Sequence, residues 1–207
     1  MMLTLIYFIK SWFIGLAIAA IVGPISMFFI RKTLELGFIG AVSVGLGACL
    51  GDLIYAVIAV TGITVLSSFL LENAFIIKII GGIFLIYLGI KEIRNKASAS
   101  DSIISHRKQF LKLSTQTMFL TLTSPLTIMT FIGVFASIGG TIVTVQDSII
   151  MVVGVFLGSM TWWMILGKII TTTKKYLSKA WVDRIRYLSA IILLGFGMIA
   201  LISGLLS

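Results

Sequence analysis

Residues 38–65 read FIGAVSVGLGACLGDLIYAVIAVTGITV, a run of 28 residues carrying a single charge, Asp52, near its middle. A hydrocarbon core about 30 Å thick is crossed by roughly 20 apolar residues in a helix, so this run is long enough to span a bilayer. The run is continuously apolar rather than alternating, which predicts a helix and not a barrel strand. At 100° per residue, Gly45, Ala48, Cys49, Tyr55, Ala56 and Ala59 share the face of Asp52, while Leu46, Leu50, Leu53, Ile54 and Val57 lie opposite. A small-residue face suits close helix packing, and a large aliphatic face suits lipid or other side chains.

Five further runs of the same kind flank it: Ser11–Ile30, Ala74–Ile90, Thr115–Ile138, Ile149–Gly167 and Tyr187–Leu206. Of the 207 residues, 59% are hydrophobic and 11% charged; soluble domains have about 25% charged residues. The expected fold is all-α integral membrane, with six transmembrane helices and no room for a separate soluble domain. Ser11–Ile30 reads as a retained first span rather than a cleaved leader, because no basic stretch precedes Lys10.

The net charge of +9 follows topology rather than nucleic acid. Fourteen of the 16 basic residues fall in the first, third and fifth connections: Arg31 and Lys32; Lys91, Arg94, Lys96, Arg107, Lys108 and Lys112; Lys168, Lys174, Lys175, Lys179, Arg184 and Arg186. The positive-inside rule places those connections in the cytoplasm and both termini outside. Trp162 and Trp163, toward the cytoplasmic end of the fifth run, read as interfacial anchors.

The two prolines, Pro24 and Pro125, stand in similar text 101 residues apart: Gly23-Pro24-Ile25-Ser26-Met27 and Ser124-Pro125-Leu126-Thr127-Ile128-Met129. Gly47-x-x-Leu50-Gly51 matches Gly154-x-x-Leu157-Gly158, and Gly81 with Gly89 matches Ser189 with Gly197. A repeat of three helices enters the membrane from opposite sides in its two copies, giving two inverted three-helix repeats. The expected division is 1–93 for the first repeat, 94–114 for a basic cytoplasmic loop and 115–207 for the second.

Proline within a helix frees backbone carbonyls, and in hydrocarbon such breaks survive where they line a cavity or pack against protein. A half-helix N-terminus at the break offers N–H groups to a carboxylate. The alternative is a pair of kinks that serve packing alone. A carboxylate at the bilayer centre costs on the order of 2.5–3.5 kcal/mol, so Asp52 faces protein or water. It suits uptake of a proton on one side and release on the other, or contact with a substrate amine; the alternative is a protonated acid hydrogen-bonded within the bundle. The candidate substrate and proton-coupling residues are Asp52, Gly51, Tyr55, Gly23, Pro24, Ser26, Ser124, Pro125 and Thr127. Thr117, Thr121, Thr123 and Thr130 add hydroxyls to the fourth run, many of them suited to bonding back to their own helix.

No catalytic or metal-ligand spacing is present, no cofactor is expected, and the chain does not read as an enzyme. His106 stands alone in a polar connection, and the one cysteine, Cys49, has no partner for an internal disulfide.

Gly23-Pro24, Arg31-Lys32-Thr33-Leu34 with Gly37, and Gly45-Leu46-Gly47 through Gly51-Asp52 resemble the first half of the LysE/RhtB family of amino-acid exporters. Ser124-Pro125-Leu126-Thr127 is similar to that family's fourth-helix signature, although the signature usually begins Asn-Pro. Leu157-Gly158-Ser159-Met160-Thr161-Trp162-Trp163 is similar to its fifth helix. The resemblance covers essentially the whole chain. It implies a bacterial inner-membrane exporter of amino acids such as lysine, arginine, threonine, homoserine or leucine, driven by the proton-motive force and dimeric. Carried over by position, Asp52 is the coupling or substrate residue, and Gly23, Pro24 and Pro125 shape the site. Efflux of metal cations or other small metabolites, and a non-transporting membrane scaffold, are the alternatives.

Overall fold

The computed structural model describes residues 2–60, 74–94, 106–124, 127–128, 130–131, 145–176 and 179–205, and the elements among them are helical. In chain order they are α1 (Met2–Ala20), α2 (Pro24–Leu36), α3 (Phe38–Val60), α4 (Ala74–Arg94), α5 (His106–Leu122), α6 (Val145–Thr173) with a 3₁₀ turn at Lys174–Tyr176, and α7 (Lys179–Leu205). Pro125 lies outside the described residues.

Among the described residues, three helical stretches are long and apolar enough to cross a membrane: Phe38–Ile58, Val145–Tyr176 and Asp183–Leu205. The pair Thr4–Ala20 and Pro24–Leu36, bent by 78° between its members, counts as a fourth if it forms one broken span. The first apolar run is therefore two helices and not one. Pro24 opens α2 at a position where its missing N–H costs nothing.

Helices overrun the apolar runs at their basic ends. Arg31 and Lys32, expected in a connection, lie inside α2, which continues to Leu36. Arg31 is 3% exposed, and its Nε donates to Glu35 Oε1 at 2.7 Å. Lys32 Nζ donates to Glu35 Oε2 at 2.8 Å. α2 stops at Gly37, whose φ of +69° is open to glycine, and the Gly37 N–H closes the last turn on Thr33 O at 2.9 Å. Likewise α5 begins at His106 within the expected third connection, and α6 carries Lys168. Lysine and arginine are good helix formers, and their stems cover apolar surface while the heads reach out, so charge marks where a span leaves lipid and not where its helix ends.

α3 is the central element: 61% of its most apolar stretch is buried inside the protein, against 33% for each of the other two candidate spans. It packs on α2, α5 and α6, while α1 lies along α6 and α4 along α7. Gly45, Ala48, Cys49, Tyr55 and Ala56 are buried, and Ile54 and Val57 are exposed, as the helical projection requires.

Close approach sets this packing. A Cβ at Gly47 would meet the Ser114 carbonyl, and one at Gly51 would sit 2.7 Å from Thr121 Cβ, so the α3 glycines seat α5. A Cβ at Gly154 would meet the Ser11 hydroxyl, and one at Gly158 the Trp12 carbonyl, so the α6 glycines seat α1. Between helices in lipid there is no hydrophobic gain, and contact of this kind supplies the attraction.

Candidate functional site

Among the described residues, the chain breaks twice beside α3. At the first break α1 ends at Ala20, residues 21–23 cross over, and α2 starts. Gly23 is extended (φ −155°, ψ −164°) and provides no side-chain cap. Met27 N–H makes the first helical bond of α2, to Gly23 O at 3.1 Å. Ser26 Oγ donates to Ile21 O at 3.1 Å, satisfying a carbonyl that the break frees.

At the second break α5 ends at Leu122, Thr123 turns and Ser124 is non-helical, while residues 127, 128, 130 and 131 are helical. Ile128 N–H bonds to Ser124 O at 3.1 Å, the same bond 101 residues further along. The carbonyl matching that of Ile21 is Leu122 O, which accepts a 2.6 Å bond from the Tyr55 hydroxyl of α3. Here the N-cap position is filled, because Ser124 Oγ accepts the Thr127 N–H at 3.4 Å.

Between the two breaks lies a cavity of about 40 Å³, room for about three waters at ~10–15 Å³ each. Of the residues expected to form a site, Gly23, Pro24, Ser26, Asp52, Ser124 and Thr127 line it. Two others do not. Gly51 is taken up by its contact with Thr121. Tyr55 uses its hydroxyl on Leu122 O, and its ring stacks on Phe131 at 5.1 Å between centroids.

Asp52 is 4% exposed and sits at the α3 wall. Ser159 Oγ of α6 donates to Asp52 Oδ2 at 2.6 Å, and Cys49 Sγ donates in turn to Ser159 Oγ at 3.5 Å. The acid is thereby joined to a second helix. Thr117 Oγ1 and Thr121 Oγ1 bond back to Leu113 O and Thr117 O at 2.8 and 3.0 Å, so their hydroxyls are spent within α5. Thr121 contributes its body to the wall.

Some residues of the site were not expected from the sequence. Ile18, Ala19, Ile21, Ile25, Ala48, Thr130 and Trp163 complete the cavity wall. The apolar ones carry no chemical signal, and only the fold gathers them. Ser159 was visible as text but not as a partner of Asp52, since the two are 107 positions apart in sequence.

Trp163 reverses its expected role as an interfacial anchor. It is 3% exposed, its ring lies 4.6 Å from that of Phe29, and it belongs to the central core beside Ala48 and Cys49. The face of α6 that carries it is turned to α2 and α3 rather than to lipid.

The arrangement offers two kinds of polar group to a small occupant. Asp52 accepts hydrogen bonds. The first turn of α2 presents the N–H groups of Ile25 and Ser26 without a side-chain cap, at the positive end of the helix.

No curated protein and no solved structure matches the chain. The family model described as LysE type translocator matches residues 16–204, nearly the whole chain and all of the cavity wall. The chain therefore belongs to the LysE-type translocator family.

Proposed function

We propose that this protein is a secondary active exporter of amino acids or close analogues, exchanging its substrate for protons through Asp52. One observation carries the reading: a buried carboxyl group shares a cavity with an uncapped helix N-terminus, and the two breaks of the chain form its walls. An α-amino acid presents an amine and a carboxylate on one carbon. Asp52 is complementary to the first and the α2 N-terminus to the second.

In this mechanism Asp52 is occupied alternately by a proton arriving from outside and by the substrate amine arriving from the cytoplasm. The Ser159 hydroxyl, which can both donate and accept, holds the carboxyl group in place in either state. The cavity is far smaller than the 300–1,000 Å³ of a typical ligand cleft, so it corresponds to a closed conformation that widens to admit substrate. The repeated break, with matching hydrogen bonds 101 residues apart, supports six spans arranged as two inverted three-helix repeats. Exchanging the roles of two such halves opens the site to one face and then the other. In a bacterial inner membrane the charge distribution puts the basic connections inside and both termini outside.

The test is efflux from cells preloaded with labelled amino acids, with and without a protonophore. Wild type is expected to export one class of amino acid in a protonophore-sensitive way. Asp52→Asn, at equal membrane expression, is expected to lose about a hundredfold, the scale of a charged hydrogen bond worth ~3 kcal/mol. Absence of export for every amino acid overturns the substrate class. Normal export by Asp52→Asn removes that residue from the coupling.

A further inference from the structure

Among the described residues, one residue of the cavity wall carries a buried polar atom with no partner inside the protein. Trp163 lines the cavity, and its Nε1 is buried without a hydrogen-bond partner. Buried indole N–H groups ordinarily find an acceptor, and leaving one unpaired is costly. The ring is not free to turn toward one. It packs on Phe29 of α2 with the ring centroids 4.6 Å apart and the planes tilted by 40°, and its Cβ and Cγ press against Gly45, where an added Cβ would lie 2.9 Å from the former.

We propose that Trp163 is a specificity-determining residue of the transport site, whose Nε1–H joins the Ile25 and Ser26 N–H groups in receiving the carboxylate of the substrate. This deepens the exporter reading and rests on it. Three features point the same way. An indole N–H is a donor only, so its missing partner is an acceptor. The other uncapped donors of the cavity, at the start of α2, favour an anion through the helix dipole. Phe29, against which the ring packs, lies about one turn beyond Ser26 on that same helix, so the indole and the α2 N-terminus are held as one unit. The acceptor group, Asp52, comes from α3, which leaves opposite chemical character on separate elements of the site. In the closed conformation Nε1 is shut off from water; widening of the cavity on substrate entry brings the carboxylate to it.

Trp163→Phe keeps an aromatic ring against Phe29 and most of the volume and removes the N–H. For the amino acid that wild type exports, KM is expected to rise about tenfold to a hundredfold with kcat within about twofold, the loss of one hydrogen bond to a charged group. The corresponding amine, lacking the carboxyl group, is expected to be handled equally by both proteins. Unchanged KM for the amino acid overturns the proposal and leaves the exporter reading intact. A wild type that exports no amino acid overturns both. Should Trp163→Phe fail to accumulate in membranes, the wild-type protein decides the matter. Its four tryptophans, Trp12, Trp162, Trp163 and Trp181, give four indole ¹⁵N–H signals. Replacing each of the other three by Phe assigns the Trp163 signal. Adding the exported amino acid is expected to move it downfield, and an unmoved signal overturns the proposal.

Discussion

The two breaks share their sequence pattern and their first helical hydrogen bond, yet they finish differently. At the second, Ser124 folds its own hydroxyl back onto the Thr127 N–H, and the neighbouring helix donates the Tyr55 hydroxyl to Leu122 O. At the first, the freed Ile21 carbonyl is satisfied by Ser26 Oγ, but Gly23 leaves the opening N–H groups of α2 without a side-chain cap. One break is closed by its own serine and by Tyr55 of α3, and the other is left with donors to spare. An element that completes its own hydrogen bonds holds shape; an element that leaves them open is a binding surface. A repeated motif can thus divide structural and recognition work between its copies.

The largest expected effect comes from dislodging the arm that leads into the first break. Gly158→Leu drives a side chain into the Trp12 carbonyl, and overpacking of this kind costs about 3 kcal/mol or more. Loss of folded protein in detergent and loss of export are expected together; a stable, active variant would show that α1 is not held by α6. Next is Tyr55→Phe, which strands the Leu122 carbonyl at a cost of roughly 1–3 kcal/mol. Its signature is a lower midpoint of thermal unfolding with the substrate KM little changed, since Tyr55 braces the second break without lining the cavity.

Gly23→Ser makes the first break resemble the second. Its extended backbone suits serine, and the new hydroxyl competes with substrate for the α2 N–H groups. An increase of about tenfold in KM, some 1.4 kcal/mol, is expected with stability held or slightly raised. The converse, Ser124→Ala, uncaps the second break for roughly 0.5–1 kcal/mol of stability. Export kinetics are expected to stay within about twofold. If Ser124→Ala impairs KM more than Gly23→Ser does, the division of labour between the breaks is reversed.

Much of this was legible in the residues. The helical projection of residues 45–57 separated the buried face of α3 from its exposed face, because a lone acid and a set of small residues share one side. Pro24 marked a break, since proline removes a specific bond. What escaped was long-range pairing. Ser159 and Asp52 meet only because α6 and α3 cross, and no local pattern encodes a crossing. Trp163 was misplaced for a related reason: a tryptophan near the end of an apolar run reads the same whether it faces lipid headgroups or the core. Arg31 and Lys32 were set in a connection because charge was equated with the end of a helix, whereas Glu35 pairs with both inside α2.

The glycine contacts bear on how the protein is made. The seat of α1 is the glycine face of α6, and the seat of α5 is the glycine face of α3. During synthesis α1 leaves the ribosome long before Val145–Thr173 exists, so it must wait in the bilayer without its final neighbour. α5, by contrast, emerges to find α3 already in place. α1 therefore takes its lasting seat only late in translation, and a message truncated before α6 would yield a first helix without the glycine face that holds it.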